Sequence, residues 1–227
     1  LILAGDPHQL GPVVISRDPV LEKSLLQRLV EAKFQFPMLA EQYRFNDDLL
    51  GLVNPTYDGK LASHGQNAAV RFPPAVAWID TSGMGYDEGR DALESLYNEG
   101  ELDILGRILS EQGAAGFVPG QVAIITPYRA QLERIRRRFP AYEAGTVNAF
   151  QGRECDVVVV SFVRSNPAGE LGFVADPRRL NVAVSRARHR FIGIGDTGTL
   201  GNSKHFSRLI DGINALGGYR SGWEFSE

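Results

Sequence analysis

The sequence predicts an α/β fold in which helices cover a parallel sheet. Short apolar runs typical of buried strands alternate along the chain with segments whose apolar residues recur at helical spacing. The run Val157-Val158-Val159-Val160 is the clearest of these strands. This alternation indicates βαβ units, whose connecting helices cover the faces of a parallel sheet.

The predicted elements follow one another in a regular order. Runs of aliphatic residues predict strands over residues 1–4, 76–79, 122–125, 157–163 and 191–194. Apolar residues three and four positions apart predict helices over residues 21–32, 47–53, 99–112, 178–187 and 203–216. Asn98 is expected to cap the third of these helices, and Gly113 to end it. A further helix is expected to open at Thr126-Pro127, with the threonine as its N-cap.

The connecting segments have a different composition. Residues 36–40 are expected to be extended. Residues 55–75 and 81–92 are richer in glycine, proline and polar residues, which is typical of loops.

Composition excludes several classes of protein. Of the 227 residues, 43% are hydrophobic and 22% are charged, which is ordinary for a globular domain. No apolar run approaches the roughly 18 residues of a membrane-spanning helix. Cys155 is the single cysteine, and the four histidines are dispersed, so an internal disulfide is excluded and no metal site is expected. We therefore expect a cytoplasmic location and no membrane partner.

Charge is distributed unevenly along the chain. Residues 1–116 contain 9 basic and 17 acidic residues, whereas residues 117–227 contain 15 basic and 10 acidic residues. Of the basic residues, 20 are arginines, whose planar guanidinium groups suit bidentate binding of phosphate. An anionic ligand is therefore expected to meet the second half of the chain.

Five polar motifs stand at the ends of predicted strands and helices. They are Gly5-Asp6-Pro7-His8-Gln9-Leu10, Glu41-Gln42-Tyr43-Arg44 and the segments 125–131, 146–156 and 178–188. Polar residues after strands and at helix N-termini favour ligand binding. Each motif also has a plain structural interpretation: a tight turn, a surface arginine, an N-cap, an entry into a strand and a solvated helix face.

Taken together and in this order, the motifs resemble the later motifs of superfamily 1 helicases. The segment around Gln9 resembles motif III, and Gln42-Tyr43-Arg44 resembles the signature that begins the second motor domain. The runs Thr146-Val147-Asn148-Ala149-Phe150-Gln151-Gly152-Arg153-Glu154 and Asn181-Val182-Ala183-Val184-Ser185-Arg186-Ala187 resemble motifs V and VI. The variants are those of the Upf-like branch. Val163-Arg164-Ser165-Asn166 and Leu171-Gly172-Phe173 are similar to bacterial relatives of the immunoglobulin-mu-binding-protein helicases.

The resemblance implies a RecA-like sheet that lacks its own phosphate-binding loop. Such motors bind ATP between two RecA-like domains, and the first domain carries the pattern Gly-x-x-x-x-Gly-Lys-[Ser/Thr] and the acidic pair that holds Mg²⁺. That pattern does not occur in this sequence. We therefore expect residues 1–37 to be the end of a first RecA-like domain and residues 38–227 to be the second. Mg²⁺ would be held mainly by the upstream domain, and this chain alone should not hydrolyse ATP.

The resemblance also implies roles for individual residues. Arg186 would be the arginine finger, Arg44 would reach the γ-phosphate, and Gln9 would sense it. Tyr43, Glu154 and Gly152 would contact the nucleotide. The candidates for contact with nucleic acid are Thr126, Thr146, Ser161 and Arg164. Family members often have Asp where Asn148 stands, but the flanking signature survives, and activity should be retained.

The resulting hypothesis is the C-terminal motor domain of an ATP-dependent helicase or translocase, moving 5′→3′ on single-stranded DNA or RNA. Its other partner would be the upstream RecA-like domain of the same protein. The alternative is a non-catalytic module that binds nucleic acid or protein on a remnant motor fold. A dinucleotide-dependent oxidoreductase is disfavoured, because no Gly-x-Gly-x-x-Gly follows a predicted strand.

Overall fold

The computed structural model describes residues 2–12, 14, 23–65, 69–70 and 73–226, and its centre is a six-stranded sheet. In chain order the strands are β1 Glu41–Gln42, β2 Ala62–Ser63, β3 Val76–Asp80, β4 Gly89–Arg90, β5 Leu96–Tyr97, β6 Val122–Thr126, β7 Glu143–Thr146, β8 Cys155–Ser161, β9 Ala187–Gly195 and β10 Tyr219–Ser221. The central sheet has the order β10-β3-β9-β8-β6-β7, and every neighbouring pair in it is parallel. The predicted α/β class with a parallel sheet is confirmed.

Helices connect these strands. They are α1 Leu25–Glu31, α2 Asp47–Val53, α3 Glu99–Ala114, α4 Arg129–Arg138, α5 Pro177–Val184, α6 Thr197–Leu200 and α7 Lys204–Ala215. Short 3₁₀ turns lie at Asn54–Tyr57, Pro119–Gln121, Val147–Phe150, Gly172–Ala175 and Gly222–Phe225. Asn98 caps α3 as predicted, since its side-chain oxygen accepts a hydrogen bond from the backbone N–H of Glu101 at 3.0 Å. None of the helices in these ranges is long and apolar enough to cross a membrane.

The sheet is covered on both faces, and the valine run of β8 shows how. Because side chains alternate along a strand, Val158 and Val160 pack on one face and Val157 and Val159 on the other. The first face contacts α2, α5 and α7, and the second contacts α3 and α4. A strand that is apolar at every position is what a sheet buried on both faces requires.

Several predicted elements differ from those observed. Residues 2–4 are not a strand, because no other strand in the described ranges lies beside them to complete a ladder; Leu1 lies outside those ranges. The helix predicted over 21–32 is observed as α1, and its first two predicted positions lie outside the described residues. The helix expected at Thr126 begins three residues later, at Arg129. Thr126 instead ends β6, so it is not an N-cap.

Two short pairings were not predicted. Strand β1 pairs in parallel with β2, and β4 pairs with β5 as an antiparallel hairpin. Strands β2 and β4 fall in segments predicted to be loops, whereas β1 and β5 lie outside the predicted elements. Two-residue strands carry no detectable hydrophobic period, so no local pattern predicts them.

Candidate functional site

Charged residues from distant motifs meet at the amino edge of β8 and β9. Glu154 directly precedes β8, and Arg186 directly precedes β9. Arg44, in the turn before α2, donates from Nε to Glu154 Oε2 at 2.6 Å and from Nη1 to the carbonyl oxygen of Ser185 at 3.0 Å. The fold therefore brings together three of the predicted site residues that are far apart in the sequence.

Glu154 is the acceptor shared by two arginines. Its other carboxylate oxygen accepts from Arg188 Nε at 2.9 Å. Hydrogen bonds from Arg188, and then from Arg44, hold the pKa of Glu154 below its usual range. The carboxylate is therefore ionised at neutral pH, and its side chain remains one-third exposed.

Arg186 is a buried cation, with 1% of its surface exposed. It donates from Nε to the carbonyl oxygen of Val182 at 3.1 Å and from Nη1 to that of Arg153 at 3.1 Å. Nη2 donates to Ser185 Oγ at 3.0 Å. Burial, and then the charge of Arg44, lower the pKa of Arg186 to about 10, so it stays protonated at pH 7.

Arg186 has no direct ion-pair partner within the described ranges, where no carboxylate lies within 4.0 Å of its guanidinium group. The carboxyl groups of Glu154 and Asp6 act on it only from a greater distance. A buried cation without an ion pair is costly unless an anion meets it. In this conformation, however, its donors are turned to the protein, so contact with a phosphate requires the side chain to move.

Hydrogen bonds hold the loop containing Gln9 against the same region. Asp6 Oδ2 accepts from Gln9 Nε2 at 2.9 Å and from Tyr57 Oη at 2.6 Å. Asn181, on α5, donates from Nδ2 to the carbonyl oxygen of His8 and to Tyr57 Oη, both at 3.0 Å. Gln9 itself is half-buried and faces Asp6.

Sequence reasoning missed Asp6, Tyr57 and Asn181 as members of this site. Asp6 and Asn181 stand inside motifs that the sequence analysis quoted, so their presence there was a usable signal. Tyr57 lies in a segment predicted to be a loop, and nothing in the sequence marked it as a site residue. Burial, and then the hydrogen bond to Asp6, raise the pKa of Tyr57 to about 12, so it acts as a neutral hydrogen-bonding group.

A cleft of about 750 Å³ opens beside these residues. Its walls include the Gln9 loop, Tyr43, Arg44, Ser185 and apolar side chains from α1 and the segment that follows it. Tyr43 is 60% exposed and stacks on His64, with ring centroids 4.5 Å apart. An aromatic face and an arginine in one cleft fit the base and phosphate ends of a nucleotide.

Gly152 shapes the loop between β7 and β8. Its φ of +81° lies in the left-handed region, which favours glycine. The next residue, Arg153, presents its carbonyl oxygen to Arg186. This turn therefore contributes to the position of the buried arginine, and a direct contact of Gly152 with a nucleotide stays a prediction.

The carboxyl edge of the sheet holds the predicted nucleic-acid contacts. Thr126 and Thr146 end β6 and β7 and pair with each other in register. Thr146 is half-buried, whereas Thr126 is fully buried and its hydroxyl has no hydrogen-bond partner among the described residues. Because its side chain is buried, Thr126 presents no hydroxyl group at the surface in this conformation.

Ser161 and Arg164 are corrected by the structure. Ser161 is fully buried, donates to Glu101 Oε2 at 2.5 Å and accepts from Gln131 Nε2 at 2.9 Å. Arg164 is buried against Glu88, with Nε 3.1 Å from Oε2, and it also donates to the carbonyl oxygen of Glu170. Both side chains are used inside the domain, so neither is available to a nucleic-acid strand as folded.

One segment connects the two edges. Thr146 ends β7 at the carboxyl edge, and Cys155, nine residues later, begins β8 at the amino edge. The segment 147–154 therefore runs from a predicted strand contact to the Glu154 cluster. Across the described ranges, no three His, Cys, Asp or Glu side chains lie close enough together to hold a metal ion.

Several known proteins are similar to this chain over most of its length. A family model described as "AAA domain" matches residues 21–198. The DNA-binding protein SMUBP-2 of Mesocricetus auratus is 35% identical over 99% of this chain and 25% of its own length. Regulator of nonsense transcripts 1 of Dictyostelium discoideum is 33% identical over 92% of this chain and 17% of its own length.

A third relative, an uncharacterized ATP-dependent helicase of Methanocaldococcus jannaschii, is 32% identical over 92% of this chain and 34% of its own length. The chain thus spans about a quarter of the length of the first of these relatives. The family model covers well over half of the chain. With the motifs in their expected order, the match shows that the chain belongs to the AAA domain family and to the Upf-like branch of superfamily 1 helicases.

Proposed function

We propose that this chain is the second motor domain of an ATP-dependent helicase or translocase that moves 5′→3′ on single-stranded DNA or RNA. The observation that carries the proposal is the meeting of Arg44, Glu154 and Arg186 beside the Gln9 loop. The direction of movement rests on the resemblance to the Upf-like branch.

The position of the core supports the proposed division of the chain. The whole central sheet falls within residues 38–227, whereas residues 1–37 contribute α1 and the Gln9 loop to one wall of the cleft. This distribution supports residues 1–37 as the end of a first RecA-like domain. The rest of that domain would supply the phosphate loop and most of the Mg²⁺ ligands.

At the amino edge, each residue would make a contact with the nucleotide or the attacking water that fits its surroundings. Tyr43 stacks on the base, Arg44 binds a phosphate oxygen from the cleft, and Glu154 accepts hydrogen bonds from the sugar. Gln9 leaves Asp6 to orient the attacking water. Mg²⁺, when bound, neutralises the charge that develops on the phosphate oxygens.

Arg186 would act only after the two motor domains close. Its guanidinium must exchange acceptors on the protein for oxygens of the γ-phosphate, where positive charge stabilises the transition state. Among the described residues no carboxylate is ion-paired with Arg186, which favours this exchange because no such pair has to be broken. Closure of the cleft would thereby couple the nucleotide state to domain motion.

At the carboxyl edge, Thr146 would contact the nucleic-acid backbone, together with the main chain at Thr126. Contacts to phosphate position a strand without reading its sequence. The segment 147–154 then provides a short covalent path by which a change at Glu154 reaches the bound strand.

The test is ATP turnover by the complete gene product, with and without single-stranded DNA or RNA. We expect turnover to rise with one of these strands and this chain alone to hydrolyse no ATP. Strand binding without turnover by a folded, complete protein would favour the non-catalytic module. The same reassignment would follow if the gene product lacked a phosphate loop.

A further inference from the structure

Phe173 is an exposed aromatic residue close to the carboxyl edge of the sheet. It lies in the turn Gly172–Ala175, and 44% of its surface is exposed. One neighbour is the ring of Tyr128, whose centroid is 4.5 Å away. Tyr128 is buried, so it supports the ring of Phe173 from the protein side.

A cation lies against the same ring. The guanidinium carbon of Arg179, on α5, is 5.1 Å from the centroid of Phe173. Within the described ranges no carboxylate lies within 4.0 Å of Arg179, whereas its chain neighbour Arg178 is paired with Asp176 at 2.9 Å. Arg179 donates from Nη1 to the neutral amide oxygen Oδ1 of Asn148 at 3.4 Å, and its charge also acts on the carboxyl group of Asp176.

The buried side chain of Arg164 lies against the backbone of this turn. Gly172 has a φ of +59°, and a Cβ added there would lie 3.3 Å from Arg164 Nη1. Arg164 is itself anchored by Glu88 and by the carbonyl oxygen of Glu170. The buried Arg164 therefore supports the turn from which Phe173 projects.

The position of the pair is continuous with the proposed strand path. Asn148 follows Thr146 by two residues, and Tyr128 follows Thr126 by two residues. Both threonines end strands at the carboxyl edge. Phe173 and Arg179 thus lie on the opposite edge from the Arg44–Glu154 cluster.

We propose that Phe173 is a stacking platform for one base of a single-stranded nucleic acid and that Arg179 binds the adjacent phosphate. This inference rests on the proposed function and assigns separate contacts to Phe173 and Arg179, which the sequence analysis quoted only within longer motifs. Base stacking on an aromatic ring tolerates any sequence, and an arginine without an ion pair among the described residues supplies the charge that the backbone needs. An exposed ring beside such a cation favours this ligand over a positively charged one.

The experiment measures binding of fluorescein-labelled dT15 and rU15 to the 227-residue chain by anisotropy at several salt concentrations. Phe173→Ala should weaken binding roughly 5- to 100-fold, the range for loss of one stacked base. Phe173→Leu should do the same, because it keeps apolar packing against Tyr128 but has no π face. Phe173→Trp should restore affinity.

Charge variants test the second contact. Arg179→Ala should weaken binding and reduce the slope of log K against log salt by about 0.7, the value for one phosphate contact on a single strand. Asn148→Asp places a carboxylate beside Arg179 and should weaken binding in the same direction. The matched control is Trp223→Ala, which removes an aromatic residue that is 61% exposed after β10, at the far end of the sheet.

A spectroscopic readout separates stacking from a loss of structure. In a Trp223→Phe background, Phe173→Trp fluorescence should be quenched by dT15 but not by an abasic oligomer with the same phosphates. Equal affinities for Phe173→Ala and Trp223→Ala, with wild-type binding intact, would overturn the inference and leave the proposed function standing. A folded wild-type chain that binds neither oligomer would overturn both.

Discussion

The two edges of the central sheet use charged residues in opposite ways. At the amino edge, Arg44 and Glu154 stay partly exposed and Arg186 has no neutralising carboxylate within the described residues. At the carboxyl edge, Glu101, Ser161 and Arg164 are buried: Ser161 donates to Glu101, and Arg164 pairs with Glu88. Polar residues at strand ends are therefore not equivalent, because Arg44 and Glu154 remain partly exposed whereas these three are bonded inside the domain.

Substitution of Arg186 should produce the largest effect. We expect Arg186→Lys, in the complete protein, to lower strand-stimulated ATP turnover by about 10³-fold or more, because a lysine keeps the charge but cannot reproduce the planar donors. Single-turnover hydrolysis would measure the change. Arg138→Lys, at an exposed pair with Asp103, is the matched control and should leave turnover unchanged. Normal turnover in Arg186→Lys would show that Arg186 is not the arginine finger.

Glu101 tests the structural role of the other edge. Glu101→Ala should reduce the free energy of unfolding by about 2–4 kcal/mol, because it opens a cavity and leaves Ser161 and the N–H of Val163 without their acceptor. Urea denaturation measures the loss. A cost below 0.5 kcal/mol, on the scale of an ordinary surface substitution, would contradict a structural role for this carboxyl group.

The pH dependence of stability sharpens the same point. Burial raises the pKa of Glu101 to about 8, from 4.5 in the unfolded chain. Between these values the folded state keeps a proton that the unfolded state has lost, so stability falls as pH rises from about 4.5 to 8. Glu101→Gln should remove this part of the slope. Urea midpoints at pH 5, 6, 7 and 8 for both proteins would reveal it, and parallel curves would contradict the prediction.

Glu154 should show the smallest effect on stability. Its pairs with Arg44 and Arg188 are partly exposed, so Glu154→Gln should cost less than about 1 kcal/mol in thermal or urea unfolding. Nucleotide affinity of the complete protein should nevertheless fall measurably in a titration. A large stability loss with unchanged affinity would mean that the amino edge is structural as well.

The sequence alone predicted the secondary-structure elements that depend on a local residue pattern. The valine run, the cap at Asn98 and the amphipathic helices all predicted elements that are present, because each signal lies within one segment. The motifs also identified the residues that meet at Arg44 and Glu154. Their meeting could be expected only from the resemblance, since no local pattern brings residue 44 to residue 154.

Burial of polar side chains was the part that could not be predicted. Ser161 and Arg164 carry the residue types of a binding site, but their partners Glu101 and Glu88 lie 60 and 76 residues earlier, respectively. Only the tertiary fold decides whether a serine or an arginine meets such a partner. Phe173 illustrates the reverse case, because nothing in its local sequence distinguishes an exposed phenylalanine from a buried one.

The valine run of β8 has one more consequence. Since both faces of this strand are apolar over Val157–Val160, hydrophobicity alone sets its register only weakly. In the neighbouring pair β3–β9, shape sets the register: a Cβ on Gly193 of β9 would come within 2.6 Å of the ring of Trp78, so that ring fits against β9 only where a side chain is missing. An indole deep in the core thus aligns β3 with β9, the strand that Arg186 directly precedes.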